Sequence, residues 1–371
     1  MKIAVNTRLL LEDKLEGIGW FAFETLKRIT KNHQEHEFVF IFDRPFSEEF
    51  IFSDNVKPVV IGPQARHPLL YYWWFEYSIP KILKKEKADL FLSPDGYLSL
   101  ASPVRQVQVI HDLNFEHYPQ DLPFLERWNY RHFFPKYARK AVRIATVSEF
   151  SKNDTVEQYG ISPKKITVIY NGANENYRPI SEEERQAARK KHAGGKPYFL
   201  FIGSLHPRKN VANLFRAFDA FKKSSGNDVQ LLIVGEKKWW TGEMRQAFEN
   251  MEHKTDVVFV GRKGTNELQE IIPSALALVY VSYFEGFGIP IVEAMNCDVP
   301  VITSNVTSMP EVVGDAALLV DPFSANSIKD AMLKMASDEN LRQSLIEKGR
   351  NRRRDFSWEK TAEGLWRVVA G

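Results

Sequence analysis

Two glutamates, Glu285 and Glu293, stand on either side of a glycine-bracketed turn in the stretch YFEGFGIPIVEAM, residues 283–295. Gly286 and Gly288 follow a short apolar run and precede a segment that opens at Pro290, a residue suited to a first helical turn because its missing N–H has no helical partner there. Such glycines let the backbone of Gly286, Phe287, Gly288 and Ile289 approach a ligand, and the positive end of the helix favours an anion. Glu293, about one turn into that helix, has the reach to accept hydrogen bonds from the hydroxyls of a phosphorylated ligand; a ribose diol fits. The structural alternative is a plain turn, with Glu285 solvated and Glu293 complementing the helix dipole.

A second stretch, GSLHPRKNVANLFRAFDAFKK from Gly203, favours the anion. Arg208 and Lys209 fall where the apolar periodicity of NVANLFRAF begins, and the dipole of a helix disfavours cations at its start by ~0.3–1 kcal/mol each. A negative group is therefore expected beside them. A diphosphate would meet a forked contact from Arg208 and a point charge from Lys209. His111 ends the apolar run VQVI at the sheet edge where ligands of open α/β sheets gather, with His117 as its competitor. Gly17 and Gly19 mimic a dinucleotide fingerprint, but about ten residues separate them from the end of the first strand, where the fingerprint needs a tight turn.

The elements that must carry these residues are legible as short apolar runs alternating with amphipathic segments, the pattern of parallel α/β sheets. Strands are expected at KIAV, EFVFIF, KPVVI, ADLFLS, VQVIH, RIATVS and ITVIY in the first half. The second half offers PYFLFIG, VQLLIVG, DVVFVG, LALVYV, VPVIT and AALLV. Between the two sets, residues 171–197 are polar and carry the capping-box pattern Ser181 to Glu184, which predicts a helix within a linker. A further amphipathic helix is expected in FSWEKTAEGLWRVV. The resulting domains are residues 1–175, 176–355 and a C-terminal helix, 356–371, that packs back on the first.

With 371 residues, 44% apolar and 26% charged, the chain has the composition of a folded two-domain protein. No apolar run approaches the ~20 residues of a membrane span. Lys and Arg number 50 against 47 Asp and Glu, without a long basic tract, so nucleic acid is not expected as a partner. One cysteine, Cys297, and a start without a secretory pattern point to the cytoplasm. The segment 67–90, HPLLYYWWFEYSIPKILKKEKADL, joins an aromatic cluster to four lysines. It is expected either to lie on the inner face of a membrane or to pack on the first sheet with a basic outer face.

Together GSLHPRKN and EGFGIPIVEAM resemble the donor-binding motifs of retaining glycosyltransferases of family 4, and VIYNGA, VITSNVTSMPEVVGDAALLVDP and VIHDLNFEHYP extend the resemblance. The resemblance implies a GT-B fold, two Rossmann-like doubly wound parallel-sheet domains facing a central cleft. It makes Gly203, Arg208 and Lys209 donor-binding residues, Glu293 the ribose ligand, and Glu285 the group facing the transferred sugar, beside the backbone of Gly286 to Ile289. His111 is implied to bind or align that sugar, with proton transfer as a second catalytic role. Gly17 and Gly19 become candidates for a loop reaching donor and acceptor, against a simple loop-to-helix junction.

The implied activity is transfer of a sugar from a nucleotide-diphosphate sugar, GDP-mannose or a UDP-sugar, to a glycan or lipid-linked acceptor, with retention. No cofactor is expected beyond that co-substrate. No Asp-x-Asp triplet occurs, so no essential metal is expected either. An epimerase on the same fold and a non-catalytic nucleotide-sugar binding protein remain open alternatives, and the oligomeric state is open.

Overall fold

Parallel strands buried on both faces read as continuous apolar runs, and all thirteen runs form strands in the computed structural model, which describes residues 1–12, 14–236 and 240–371. The first sheet contains β1 (Lys2–Asn6), β2 (Glu37–Phe42), β3 (Val56–Val60), β4 (Leu90–Ser93), β5 (Arg105–Ile110), β6 (Arg143–Thr146) and β7 (Ile166–Val168). The second contains β8 (Tyr198–Ile202), β9 (Gln230–Val234), β10 (Val257–Gly261), β11 (Ala277–Tyr280), β12 (Val301–Ser304) and β13 (Ala317–Val320).

Every pairing is parallel, with spatial orders 3-2-1-4-5-6-7 and 10-9-8-11-12-13. In each sheet the winding reverses once, between β1 and β4 and between β8 and β11. The crevice beyond the strand ends at such a reversal is where open α/β sheets accept ligands. Both sheets are thus doubly wound, each with its own core.

The chain divides into two compact units, residues 1–172 with 357–371, and residues 173–356. After the division, Ser181 caps the helix Glu182–Ala193 reciprocally: its hydroxyl accepts the N–H of Glu184, whose carboxylate accepts the N–H of Ser181 at 2.8 Å.

The last helix, Trp358–Ala370, belongs to the first unit. It buries Trp358, Leu365, Val368 and Val369, and Trp366 stacks on His33 with centroids 3.9 Å apart. Arg28, in the helix Gly17–Asn32, donates to Glu359 at 2.6 Å, and the Thr361 hydroxyl donates to the carbonyl of Tyr170 at 2.7 Å. Gly172 is the point of closest approach, since a Cβ there would meet the Trp358 backbone nitrogen at 2.3 Å. Gly172→Ala is therefore expected to lower unfolding stability by about 1–3 kcal/mol, the usual cost of overpacking. Chemical denaturation with limited proteolysis should show the C-terminal helix released first.

Candidate functional site

The second sheet assembles its site at the winding reversal. Gly203 follows β8, and its N–H donates to the Val234 carbonyl at 3.0 Å. The chain then makes a tight turn, Pro207–Lys209, before the helix Val211–Ser225. Asn210, at a left-handed φ of 59°, joins turn to helix and donates to the carbonyls of Val281 at 3.0 Å and Pro322 at 2.6 Å. Those two bonds tie the turn to the end of β11 and to the segment after β13. Arg208 and Lys209 are thereby held over the carboxyl end of the sheet.

The negative group expected beside these cations is Glu285. One oxygen of its carboxylate accepts from Arg208 at 2.6 Å, and the other from Lys209 and from the Tyr280 hydroxyl at 2.9 Å. Lys209 also donates to that hydroxyl at 2.5 Å, with its nitrogen 4.8 Å from the centre of the Tyr280 ring. Glu285, Lys209 and Tyr280 are all buried. Burial alone would push the Glu285 carboxyl up, but the charges of Arg208 and Lys209 outweigh it and hold the pKa at about 2. The reading of Glu285 as a solvated turn residue is thus excluded. The helix-start cations have an internal counterion, so their charge alone does not demand an external one.

Three residues of this cluster carry no sequence signal. Tyr280 reads as one more strand aromatic. Thr307, at a left-handed φ of 57° that a β-branched residue rarely adopts, accepts the N–H of Glu285 at 3.3 Å, and the Ser308 hydroxyl donates to the Glu285 carbonyl at 2.9 Å. The loop after β12 therefore clamps the Glu285 backbone.

Beyond Glu285 the chain turns at Gly288, whose φ of 95° favours glycine, and enters the helix Ile289–Asn296 with Pro290 in its first turn. No side chain caps this helix and no acid lies in its first turn, so its N–H groups keep their positive end. The Phe287 ring is buried against Phe356 at 5.4 Å, so its side chain is not offered to a ligand. Glu293 is the fifth helical residue. Its carboxyl has no hydrogen-bonding or ionic partner among the described residues, and burial pushes its pKa up to about 7. The structure joins Arg208, Lys209 and Glu285 directly and sets Glu293 apart in a different environment.

The remaining candidates belong to the first unit. His111 follows β5, its Nε2 lies 2.8 Å from the Pro94 carbonyl and its ring meets Phe21 edge-on at 4.9 Å. A carbonyl can only accept, so Nε2 carries the proton and a neutral ring leaves Nδ1 as a base. Burial lowers its pKa, partly offset by the Pro94 carbonyl and by Asp112 and Asp95. His117 instead faces Asp154 at 2.7 Å. Gly17 and Gly19 do not form a loop: they open the helix Gly17–Asn32. A Cβ on Gly19 would approach the Leu9 carbonyl to 3.0 Å, so packing explains that glycine. Among the described residues, no group of three or more His, Cys, Asp or Glu is placed to hold a metal, and no helix is long and apolar enough to cross a membrane.

Comparison with known proteins follows the same division. The family model described as glycosyl transferases group 1 matches residues 182–352, and that of glycosyltransferase family 4 matches residues 15–177. The O-antigen chain mannosyltransferase B of Escherichia coli is 27% identical over 361 residues, covering 93% of each chain. The O-antigen chain mannosyltransferase RfbU of Salmonella typhimurium is 30% identical over 227 residues, covering 61% of this chain and 60% of that one. Among solved structures, WaaG, a glycosyltransferase involved in lipopolysaccharide biosynthesis, superposes with a TM-score of 0.78 at 18% identity over all of both chains. Anabaena Alr3699/HepE in complex with UDP-glucose gives 0.78 at 17%, again over all of both. At such identities the likeness speaks for the fold, GT-B.

The state of Glu293 has a measurable consequence. Its ordinary pKa is 4.5 and its folded value about 7, so between those values the folded protein holds a proton that the unfolded chain has lost. Stability contributed by the neutral form is full below pH 4.5 and is lost as pH rises through 7. Glu293→Gln should therefore gain on the wild type between pH 5 and pH 8 by at least about 1 kcal/mol in denaturant titrations. A difference that does not change with pH would mean that Glu293 is not held neutral.

Proposed function

Because the chain belongs to the group 1, family 4 glycosyltransferases, we propose that it moves a hexose from a nucleotide-diphosphate sugar to a glycan or lipid-linked saccharide, with retention and without an essential metal. Mannose from GDP-mannose is the first donor of choice, since relatives aligned over 93% and 61% of the chain are named mannosyltransferases. UDP-sugars follow, as the structural neighbour HepE holds UDP-glucose. The observation that carries the reading is the hydrogen-bonded set of the partly exposed Arg208 with the buried Lys209, Tyr280 and Glu285, beside an uncapped helix start.

A departing nucleoside diphosphate gains charge as the bond to the anomeric carbon breaks. Arg208, Lys209 and the N–H groups at Gly288 and Ile289 would stabilise that charge. The diphosphate competes with Glu285 for the two cations, and Glu285, loosened from them, turns to the hydroxyls of the sugar and to the positive charge at its ring. Glu293 accepts from the ribose. The acceptor hydroxyl attacks on the face the leaving group vacates, its proton passing to the departing phosphate oxygen while the sugar–phosphate bond breaks. The neutral His111, its Nε2–H engaged with Pro94, keeps Nδ1 as a hydrogen-bond acceptor.

Incubation with GDP-mannose and saccharide acceptors, followed by mass spectrometry and by NMR of the new anomeric centre, tests the reading. A glycoside with the donor's configuration is expected, undiminished by a chelator. Lys209→Ala and Glu285→Gln should each lower kcat/KM by roughly 100-fold or more while circular dichroism stays unchanged. An isomerised donor would reveal an epimerase, binding without turnover a non-catalytic protein, and an inverted product would end the same-face mechanism.

A further inference from the structure

Two segments of the first unit leave a continuous aromatic surface outside its core. The run formed by Pro68–Trp73, the π-helical turn Trp74–Ser78 and Ile79–Glu86 sends Trp74, Phe75, Ile79, Ile82 and Leu83 inward. Leu69, Leu70, Tyr72, Trp73 and Tyr77 remain outside, with Leu69 73% and Trp73 55% exposed. The helix Phe124–Lys140 adds Phe124, 67% exposed, with Leu125 and Trp128. The rings connect across the two segments: Tyr72 and Trp128 both reach Phe133, at 5.8 and 6.0 Å, and Trp73 lies 4.8 Å from Tyr77. Eight of the thirteen exposed large apolar side chains among the described residues fall in these two segments, so the exposure is a patch and not ordinary scatter.

The surroundings of the patch are cationic. Lys81 and Lys84 are exposed and follow Tyr77 at four and seven residues, which keeps them on its helical face. On the other segment Arg127, Arg131 and Arg139 line, with Trp128 and His132, an open groove of about 590 Å³. Arg127 holds its guanidinium over the Phe124 ring at 5.5 Å and Lys136 its ammonium over Phe133 at 5.6 Å, so that cations and rings share this surface. The neighbouring acids are largely spent: Glu76 accepts the N–H groups of Leu100 and Ala101, and Glu116 pairs with Arg131 and accepts from Tyr159. Glu126 is the partly exposed acid left on the second segment.

We propose that this face docks on an anionic lipid bilayer, its tryptophans and tyrosines at the boundary between acyl chains and headgroups and its Lys and Arg side chains on lipid phosphates. Amphipathic rings with a cationic rim match the two layers of such a surface. Against a second copy of the chain, a two-fold contact would set one cationic rim on another. The inner face of the 67–90 segment packs on the sheet, but its outer face is aromatic first and basic only towards its end. The proposal draws on the transferase reading for its purpose alone, bringing the enzyme to a lipid-carried acceptor, and its binding measurement uses neither donor nor acceptor.

The full chain is mixed with sedimentable vesicles of phosphatidylcholine alone or with about one-third phosphatidylglycerol, and intrinsic tryptophan fluorescence is followed. Binding is expected to the anionic vesicles only, with a blue shift, and to be released by about 0.5 M salt. Trp73→Ser with Trp128→Ser, exposed positions that leave the core intact, should lower the bound fraction at least about tenfold at an unchanged melting curve. Lys81→Glu with Lys84→Glu should do so with the rings in place. Both variants should keep wild-type transfer to a water-soluble acceptor, which separates loss of docking from loss of catalysis. No sedimentation with anionic vesicles, or equal sedimentation of the tryptophan variant, would overturn the proposal. So would a dimer seen by light scattering that the tryptophan variant dissolves.

Discussion

A carboxylate buried between two cations is the constraint on which the second unit's site depends. Glu285 is almost without solvent, and removing it would take from the buried Lys209 its carboxylate partner, against which the Tyr280 hydroxyl and ring also lie. Leaving a charge so stranded costs roughly 3–5 kcal/mol, more than most single contacts in a domain contribute. Packing around the cluster follows from that cost. Asn210 fixes the turn that carries the cations, and Thr307 and Ser308 fix the backbone that carries the carboxylate, so both halves of the ion pair are held by elements other than their own. In the proposed reaction the same arrangement is poised for exchange, because a diphosphate brings the charge that can take over from Glu285.

The two sheets offer the same crevice with different electrical content. At the reversal of the first sheet, Arg8 donates to Asp95 at 2.5 Å beneath the rings of Tyr71 and Tyr97, and Asn6 joins Asp95 to Ser93. One cation meets one acid there, and the Arg8 guanidinium lies 4.9 Å from the centre of each ring. At the second reversal two cations share one acid, with the uncapped end of the helix Ile289–Asn296 next to them. In this set the cations outnumber the acid, and a helix tip worth roughly half a charge adds to them. This asymmetry supports assigning the donor diphosphate to the second unit, since topology alone would serve either sheet.

The strands were legible because a parallel strand covered on both faces needs an unbroken apolar run, and LALVYV or VQLLIV has no other economical use. The Ser181 cap was legible because capping is local, reaching only three residues along the chain. What stayed hidden is what depends on distant partners or on backbone that the residue type disfavours. Tyr280 gives no sign that its hydroxyl will bridge Lys209 to Glu285, and nothing in a threonine announces the left-handed φ of Thr307. Gly17 and Gly19 stayed open between a loop and a loop-to-helix junction, and the structure shows the junction. The helix they open begins after Glu16, which provides no side-chain cap, so the usual start signal is missing and two glycines look like a loop.

Glu285 and Glu293 show how one residue type can be set to two states within a single turn and helix. Both lose hydration, which by itself favours the neutral acid. Glu285 meets two cations and stays ionised down to about pH 2, whereas Glu293 meets none and takes up its proton near pH 7. A neutral acid can donate one hydrogen bond and accept another, while a carboxylate can only accept. A ribose diol has two hydroxyls to donate, so it satisfies the ionised form of Glu293 better, and its arrival should draw the proton off. Donor binding in the proposed reaction is then coupled to release of a proton around neutral pH, a linkage that follows from the missing counterion at Glu293 and not from the catalytic chemistry at Glu285.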